Sequence, residues 1–235
     1  RWVPPRTSAR SASRFLRVVN ESPAPKATVE QADYLAIFVA DNGQPDADDR
    51  VSALARAFIE RYPSASKLDE VRLKLGQVYF RNGDFASAQT QLETLARETP
   101  ASPLVETALF IAGQASMKRI DSGGIDRAIE LFSQVASLNG PLKFHARLEL
   151  ALLQNRQDKE ADAVKLYDDI LRENPGPEVK AAALAGKGDN LFALGEKEKP
   201  QYAAALEVYQ ALAREPGLNA TLQHRALYNK GRCLE

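Results

Sequence analysis

Histidine and cysteine, the residue types that most often serve nucleophilic catalysis and metal binding, are scarce in this chain. The sequence has two histidines, His145 and His224, and one cysteine, Cys233. Neither histidine stands in a metal-binding or catalytic spacing such as H-E-x-x-H. A single cysteine excludes an intramolecular disulfide and a cysteine-rich metal site. We therefore interpret both histidines as surface or packing residues and predict no metal site.

Carboxylates are abundant, but their spacing does not predict a catalytic pair. Asp168 and Asp169 are adjacent, which on a helix directs their side chains about 100° apart. The acidic stretch from Asp41 to Asp49 has oxygen ligands suitable for calcium, but it lacks the glycine and glutamate positions of an EF-hand. We interpret it as a solvated turn in which Asp46 caps the following helix.

The segment Ala185-Gly186-Lys187-Gly188-Asp189 contains the glycines and lysine found in phosphate-binding loops. It lacks the upstream glycine and the following serine or threonine of a P-loop, and it lies inside a helical pattern. No general acid, base or nucleophile constellation is visible. The sequence therefore predicts a protein that is not an enzyme and that uses no cofactor.

Composition limits the classes of partner. Of the 235 residues 44% are hydrophobic, and Lys+Arg and Asp+Glu both number 31, so the formal net charge is zero. No global field attracts the chain to nucleic acid or anionic lipid. No apolar run approaches the roughly 18 residues that cross a bilayer. We expect a protein or peptide partner, with no nucleic-acid binding and no direct membrane insertion.

A helix-pair pattern returns about every 40 residues, within the range of helical repeats. Its clearest copy runs from Asp69 to Pro100, with a turn at Asn82-Gly83-Asp84 between two apolar helical patterns. Helices approach to about 8–10 Å only where side chains are small. Small residues recur at two positions of each copy, so we expect these to mark helix crossings. The first position is occupied by Gly76, Gly113, Ala151, Gly188 and Gly231, and the second by Ala88, Ala128, Ala163 and Ala205.

Apolar periodicity, turns and prolines predict five helix pairs and a truncated sixth. Gly83 and Gly195 are expected to end first helices in the left-handed conformation, and Asp84 and Ser102 to cap the helices that follow. The predicted helices are Thr28–Asp41 with Asp46–Tyr62, Ser66–Asn82 with Asp84–Glu98, Ser102–Ile120 with Ile125–Leu138, Pro141–Asn155 with Lys159–Glu173, Pro177–Leu194 with Gln201–Glu215, and Ala220–Glu235.

The pattern resembles the tetratricopeptide repeat (TPR) family. The family's early tryptophan is missing, and the period is longer because loops are enlarged at 120–124 and 195–200. Phrases such as Arg97-Glu98-Thr99-Pro100 are similar to bacterial cell-envelope members, namely outer-membrane-assembly lipoproteins and the Tol-Pal-associated protein. The residues that carry the resemblance are Leu75, Gly76, Tyr79, Ala88, Pro100, Ala128, Phe132, Ala163, Tyr167, Pro175, Gly188, Ala205, Tyr209 and Pro216.

The resemblance implies an all-α, right-handed α-solenoid over residues 28–235. Residues 1–27 form an N-terminal extension, in which Ser11–Asn20 has the pattern of a short helix capping the first repeat. The array is expected to behave as one elongated body, since each repeat contacts only its neighbours. The chain begins at Arg1 rather than Met and ends inside a first helix, which suggests a piece of a longer protein.

In the TPR family the first helix of each pair lines a concave groove. Positions four and five residues after the small crossing residue are expected to face that groove and to form a row of apolar groups beside a row of cations. Such a row suits carboxylates and apolar side chains of a peptide. Helix dipoles alone also favour cations at these places. The predicted groove residues are Gln77, Phe80, Arg81, Gln114, Met117, Lys118, Asn155, Arg156 and Phe192.

These observations favour a non-catalytic scaffold that binds a protein or peptide partner. The resemblance places it in the bacterial periplasm or cell envelope, with the cytoplasm as the alternative. A second hypothesis is a regulatory or docking arm of a larger enzyme. A third is homo-oligomerisation through the open C-terminal end, where Leu222, Leu227 and Tyr228 would lack a following helix.

Overall fold

The computed structural model of the chain describes residues 26–41, 44, 46–119, 123–197 and 201–234. These residues form helices and turns without any strand, which confirms the predicted all-α helical-repeat fold. The helix expected at Ser11–Asn20 lies outside the described residues. The helices are α1 (Lys26–Ala40), α2 (Ala47–Arg61), α3 (Leu68–Arg81), α4 (Phe85–Glu98), α5 (Val105–Lys118), α6 (Gly124–Ser137), α7 (Lys143–Arg156), α8 (Glu160–Arg172), α9 (Pro177–Lys197), α10 (Gln201–Arg214) and α11 (Ala220–Arg232).

The chain divides into two compact units, Arg1–Gly124 and Ile125–Glu235. In the first unit, α1 packs on α2, α2 on α3, α3 on α4 and α4 on α5. In the second unit, α7 packs on α8, α8 on α9, α9 on α10 and α10 on α11. Short connections between consecutive helices favour this neighbour packing.

The core of each unit consists of residues from the inward faces of successive helices. In the first unit, Ile37 of α1, Phe58 of α2 and Leu75 of α3 belong to one buried cluster. In the second unit, Leu191 of α9 and Leu212 of α10 share a cluster with Ala226 of α11. Because apolar residues at helical spacing face these clusters, burial of apolar surface selects the helical conformation.

The predicted helix crossings are confirmed at Gly76 and Gly188. A Cβ at Gly76 would lie 2.5 Å from Leu92 Cγ, and one at Gly188 would lie 2.6 Å from Cε1 of the Tyr209 ring. The matching alanines of the second helices, Ala88, Ala128, Ala163 and Ala205, are fully buried. Gly231 differs, because it is exposed and a Cβ there would meet no heavy atom within 4 Å.

The turn between α3 and α4 has the structure that the sequence predicts, and the turn between α9 and α10 does not. Gly83 has φ +77°, and Asp84 caps α4 by accepting a hydrogen bond from the Ser87 backbone N–H at 3.1 Å. The expectation for Gly195 is wrong: α9 continues to Lys197 and Gly195 is buried inside it. A Cβ at Gly195 would lie 2.5 Å from Cδ1 of Tyr202, so this glycine serves close packing instead of a turn.

Asp46 and Ser102 cap less directly than the sequence predicts. Asp46 occupies the N-cap of α2, but its side chain makes no capping hydrogen bond and pairs with Arg50 at 3.4 Å. Two residues separate Ser102 from the start of α5, and the Ser102 hydroxyl accepts a hydrogen bond from the Leu104 N–H at 3.2 Å. Both residues still lie at helix starts, as expected.

The two glycines at repeat-equivalent positions provide a matched test of helix crossing. We expect Gly188→Val to lower the free energy of unfolding by about 1–3 kcal/mol, because the new side chain must displace the buried Tyr209 ring. Gly231→Val should change it by less than about 0.5 kcal/mol, because the site is open. Thermal and urea unfolding followed by circular dichroism measures both. Equal effects of the two substitutions would contradict the assignment of Gly188 as a crossing point.

Candidate binding surface

The groove residues predicted in the first unit lie near the ends of α3 and α5. Arg81 and Lys118 are exposed, and the remaining members of this group are at least partly buried. Helical spacing places each apolar member one residue before a cation, as the sequence predicts. The more buried members are Gln77, Phe80, Gln114 and Met117.

Phe80 and Lys118 meet at a third residue, Phe85, at the start of α4. The rings of Phe80 and Phe85 are 5.4 Å apart in an edge-to-face arrangement, with planes at 70°. Lys118 Nζ lies over the Phe85 ring, 5.8 Å from its centroid. Ring faces carry partial negative charge, so the ammonium is stabilised there. We call Phe80, Phe85 and Lys118 the first aromatic–cation cluster.

Arg81 is neutralised by acidic residues of the preceding repeat. Its guanidinium hydrogen-bonds Asp48 through Nε at 3.3 Å and through Nη2, and Nη2 also reaches Asp41 at 3.1 Å. These bonds, chiefly that to Asp48, raise the pKa of Arg81. The acidic stretch from Asp41 to Asp49 therefore has a structural use, since Asp41 attaches α3 to the end of α1 and Asp48 attaches it to the first turn of α2.

Asp41 also accepts a hydrogen bond from Lys74 of α3, and both side chains are largely buried, at 23% and 17% exposed. This bond, helped by the charge of Arg81, holds the pKa of Asp41 below its ordinary value of 3.8, although burial opposes the shift. Lys74 Nζ also lies 5.7 Å from the Phe38 ring centroid. The Lys74–Asp41 pair therefore joins α1 to α3.

In the second unit, Asn155 and Arg156 are exposed at the end of α7, and Phe192 is half-buried on α9. Arg156 has no carboxylate within 4 Å among the described residues, although its charge acts on Glu149 of the same helix. Of the three cations predicted to stack, Arg156 alone keeps its charge free of an ion pair or ring contact in the described part of the chain.

A second aromatic–cation cluster forms around Phe192. Its ring lies 5.1 Å from that of Tyr202 on α10, at 62°. The Arg232 guanidinium of α11 lies over the Phe192 ring, 4.2 Å from the centroid. We call Phe192, Tyr202 and Arg232 the second aromatic–cation cluster. Each cluster thus combines aromatic rings from a helix pair with a cation from the next first helix.

A polar network at the end of the array was not predicted. The Tyr209 hydroxyl donates to Asp189 Oδ1 at 2.8 Å, and Asn229 Nδ2 donates to that carboxylate at 3.2 Å and to the hydroxyl at 3.1 Å. Arg225 forms an ion pair with the same carboxylate. The network therefore joins α9, α10 and α11 through one buried tyrosine.

The preceding repeat lacks this network. Tyr167 is the counterpart of Tyr209, but the residues matching Asp189 and Asn229 are Leu152 and Gly186. A Cβ at Gly186 would overlap the Tyr167 hydroxyl oxygen, so the ring packs directly on the backbone of α9. Leu152 is 47% exposed. Burial raises the pKa of the nearby Glu149 carboxyl.

The sequence reasoning thus missed Phe85, Tyr202 and Arg232 of the clusters, and Asp189, Arg225 and Asn229 of the polar network. Phe85 and Tyr202 both begin second helices, and that shared position is the pattern that identifies them. Arg232 lies one residue after Gly231, the same step that selected Gln77 and Gln114. The part of the chain that the structure describes holds no group of three His, Cys, Asp or Glu side chains placed to bind a metal.

Comparison with known proteins supports the repeat assignment. A model of the tetratricopeptide repeat family matches residues 73–119 and 118–177. A search of curated protein sequences finds no match to the chain. No helix within the described ranges is both long and apolar enough to span a bilayer.

Solved structures share the fold at low sequence identity. A crystal structure of MamA protein is 19% identical with a TM-score of 0.58, over 80% of this chain and 96% of that one. Kinesin-light-chain TPR-like repeats from Podosopora anserina are 17% identical with a TM-score of 0.56, over 79% and 95%. A thermophilic TPR protein from Thermus thermophilus is 16% identical with a TM-score of 0.51, over 85% and 98%. At these identities the likeness concerns the fold alone.

The Lys74–Asp41 pair predicts a pH-dependent contribution to stability. The pKa of Asp41 is lower in the folded than in the unfolded chain, so its carboxylate stabilises the fold above about pH 4, and this contribution is lost as the pH falls through the lowered pKa. We expect Lys74→Gln to lower the free energy of unfolding by about 1 kcal/mol at pH 7 and by much less near pH 2. Urea unfolding of the wild type and the variant at both pH values measures these two changes.

Arg97→Gln serves as the control, because Arg97 is 73% exposed and its nearest carboxylate is 3.9 Å away. The Arg97→Gln substitution should change the free energy of unfolding little at either pH. An equal loss for Lys74→Gln at pH 7 and pH 2 would show that the lysine acts through packing and not through the charge of Asp41.

Proposed function

We propose that this chain is a non-catalytic scaffold that binds a protein or peptide partner through the exposed side chains at the ends of its first helices. TPR repeats generally mediate protein–protein interaction, and the family model covers the helices from α3 to α8 in whole or in part. The observation that carries the proposal is the recurrence of an aromatic–cation cluster in both units. In each cluster the rings are half-buried and the cation above them is exposed, so its charge is available to a partner.

The clusters suit a partner segment in which acidic and apolar side chains alternate. A guanidinium stacked on a ring retains N–H groups at its edge, and these can donate to a carboxylate. In the first unit Met117 offers apolar surface next to Lys118. In the second unit Phe192 offers apolar surface under Arg232, and the free charge of Arg156 adds another attraction for carboxylates. A net charge of zero disfavours nucleic acid as the partner.

The proposal extends to the bacterial cell envelope, with the periplasm as the compartment. Its support is the sequence resemblance of the repeat-ending phrases, such as Glu60-Arg61-Tyr62-Pro63, to envelope members of the TPR family. Fractionation of cells that express the full-length protein tests this extension separately from partner binding.

Charge reversal in the second unit tests the binding surface. Arg156→Glu with Arg232→Glu should weaken binding of a captured partner by at least tenfold, equivalent to about 1.4 kcal/mol, because both substitutions repel carboxylates. Partners are first captured with the wild-type chain as bait, and their Kd values are then measured by calorimetry.

The matched control is Lys165→Glu with Arg172→Glu, which makes the same charge change on α8 of the same unit. Both side chains are more than 70% exposed and pair only with carboxylates three residues away. This control should leave Kd unchanged. A captured partner that binds both double variants equally well would rule out the first-helix surface as its binding site.

Self-association through α11 is the second candidate, favoured by one observation. Leu227 is 51% exposed and Tyr228 is 69% exposed, which is unusual for adjacent large apolar side chains. Leu222, also predicted to be open, instead packs against the core of the second unit. If this face binds a second copy, Leu227→Asp with Tyr228→Asp abolishes any concentration-dependent rise in mass seen by light scattering. A monomeric wild-type chain at high concentration dismisses this candidate.

A further inference from the structure

A cavity of about 580 Å³ lies in the first unit, between the α2–α3 connection, the start of α3 and the end of α4. Its lining carries three charges, from Asp69 and Arg72 of α3 and from Glu98 of α4. Pro63 and Leu68 form part of its apolar wall. A cavity of this size, with a few polar groups on an apolar wall, is suited to a ligand.

The charge of Arg72 is already used within the protein. Its Nη1 donates to Gln91 Oε1 at 3.1 Å, and its Nη2 lies 3.0 Å from Glu98 Oε2. The Arg72 side chain is only 14% exposed. An anionic ligand would have to displace Glu98 from this guanidinium, so the cavity is poorly suited to an anion.

Asp69, by contrast, forms no ion pair in the described part of the chain. Its Oδ1 accepts a hydrogen bond from the Glu70 backbone N–H at 2.8 Å, and its Oδ2 accepts one from the Ser102 hydroxyl. Both donors are neutral, and the nearby Lys67 is paired with the Glu70 side chain at 2.6 Å. Each carboxylate oxygen has two lone pairs, so both oxygens of Asp69 can accept one more hydrogen bond.

The charges of the cavity therefore favour a cationic ligand. Asp69 and Glu98 outweigh Arg72 by one negative charge. The Glu98 side chain is 43% exposed, and its Oε1 has only Arg97 at 3.9 Å as a neighbouring cation. A cation that reaches Asp69 thus also approaches a second carboxylate, which offsets the repulsion from Arg72.

We propose that this cavity binds an arginine side chain of another polypeptide, with the guanidinium on Asp69. A guanidinium presents two parallel N–H groups that match the two oxygens of one carboxylate. Its three methylenes can lie along Pro63 and Leu68, with the charge kept at the polar end. Ser64 and Ser66 are exposed members of the lining, and their hydroxyls can bond to the peptide groups that flank the arginine.

This site is separate from the aromatic–cation clusters. Asp69 lies in the first turn of α3 and Phe80 in its last turn, about 16 Å apart along the helix axis. The cavity takes a basic group, whereas the clusters attract acidic ones. The inference therefore goes beyond the proposed function and does not rest on it.

A pair of matched peptides tests the proposal on the wild-type chain. The blocked tripeptide Ac-Gly-Arg-Gly-NH2 is titrated at constant ionic strength and followed by the amide signals in 15N NMR. We expect shifts at residues 63–72 and 98–102, with a Kd in the millimolar range. Citrulline in place of arginine keeps the shape but loses the charge, and should weaken binding by about tenfold or more. Equal binding of the two peptides, or shifts elsewhere on the chain only, would overturn the proposal.

Asp69→Asn tests the residue. The amide oxygen can still accept from the Ser102 hydroxyl, but the charge is lost, so binding of the arginine peptide should weaken by about tenfold. The matched control is Asp169→Asn, which makes the same charge change on α8, where the carboxylate pairs with Arg172. This control should leave Kd unchanged.

If Asp69→Asn binds the arginine peptide as tightly as the wild type, Asp69 only anchors the α4–α5 connection through Ser102 and the proposal is wrong. The comparison of the two peptides uses the wild type alone, so it decides the proposal even if the variant folds poorly. Charge reversal at Arg156 and Arg232 should not change the Kd of the arginine peptide, which separates this test from that of the proposed function.

Discussion

Close approach of paired helices at glycine is the constraint on which this structure depends. At Gly76 and Gly188 the facing side chain occupies the space where a Cβ would stand. Leu92 and Tyr209 therefore pack against the backbone of the partner helix, and their burial supplies much of the apolar contact within a pair. Phe80 and Phe192 each lie about one helical turn after these glycines, so the crossings position the first-helix ring of each aromatic–cation cluster.

Two repeats of the same design differ in chemistry because of a few substitutions. Around Tyr209, Asp189 and Asn229 complete a hydrogen-bonded network that holds α11. Around Tyr167, Leu152 and Gly186 occupy the matching positions. The surface there is apolar, and the Tyr167 ring packs directly on the backbone of α9. A buried hydroxyl with two partners fixes its neighbours in place. The repeat without them leaves Leu152 exposed, three residues after Glu149 and four before Arg156 on the same helix.

Charge on the first helices is used in two ways. Lys74 and Arg81 are committed to Asp41 and Asp48 and so connect successive repeats. Lys118 and Arg232 lie over aromatic rings and keep part of their donor capacity, while Arg156 is unpaired among the described residues. Sequence position alone gives Arg81, Lys118 and Arg156 the same place in the repeat. Their different roles follow from which acidic or aromatic side chain the preceding helices bring within reach.

The sequence by itself determined the helices, their order and the small residues at their crossings, because these depend on local periodicity and on steric limits within a repeat. It also singled out Phe80, Lys118 and Phe192, which the structure places in the two aromatic–cation clusters. Only the tertiary structure decided that Gly195 continues α9, that Arg81 is neutralised, and that Phe85, Tyr202 and Arg232 complete the clusters. Such contacts join residues from different helices, and their distances depend on packing angles that no local pattern encodes.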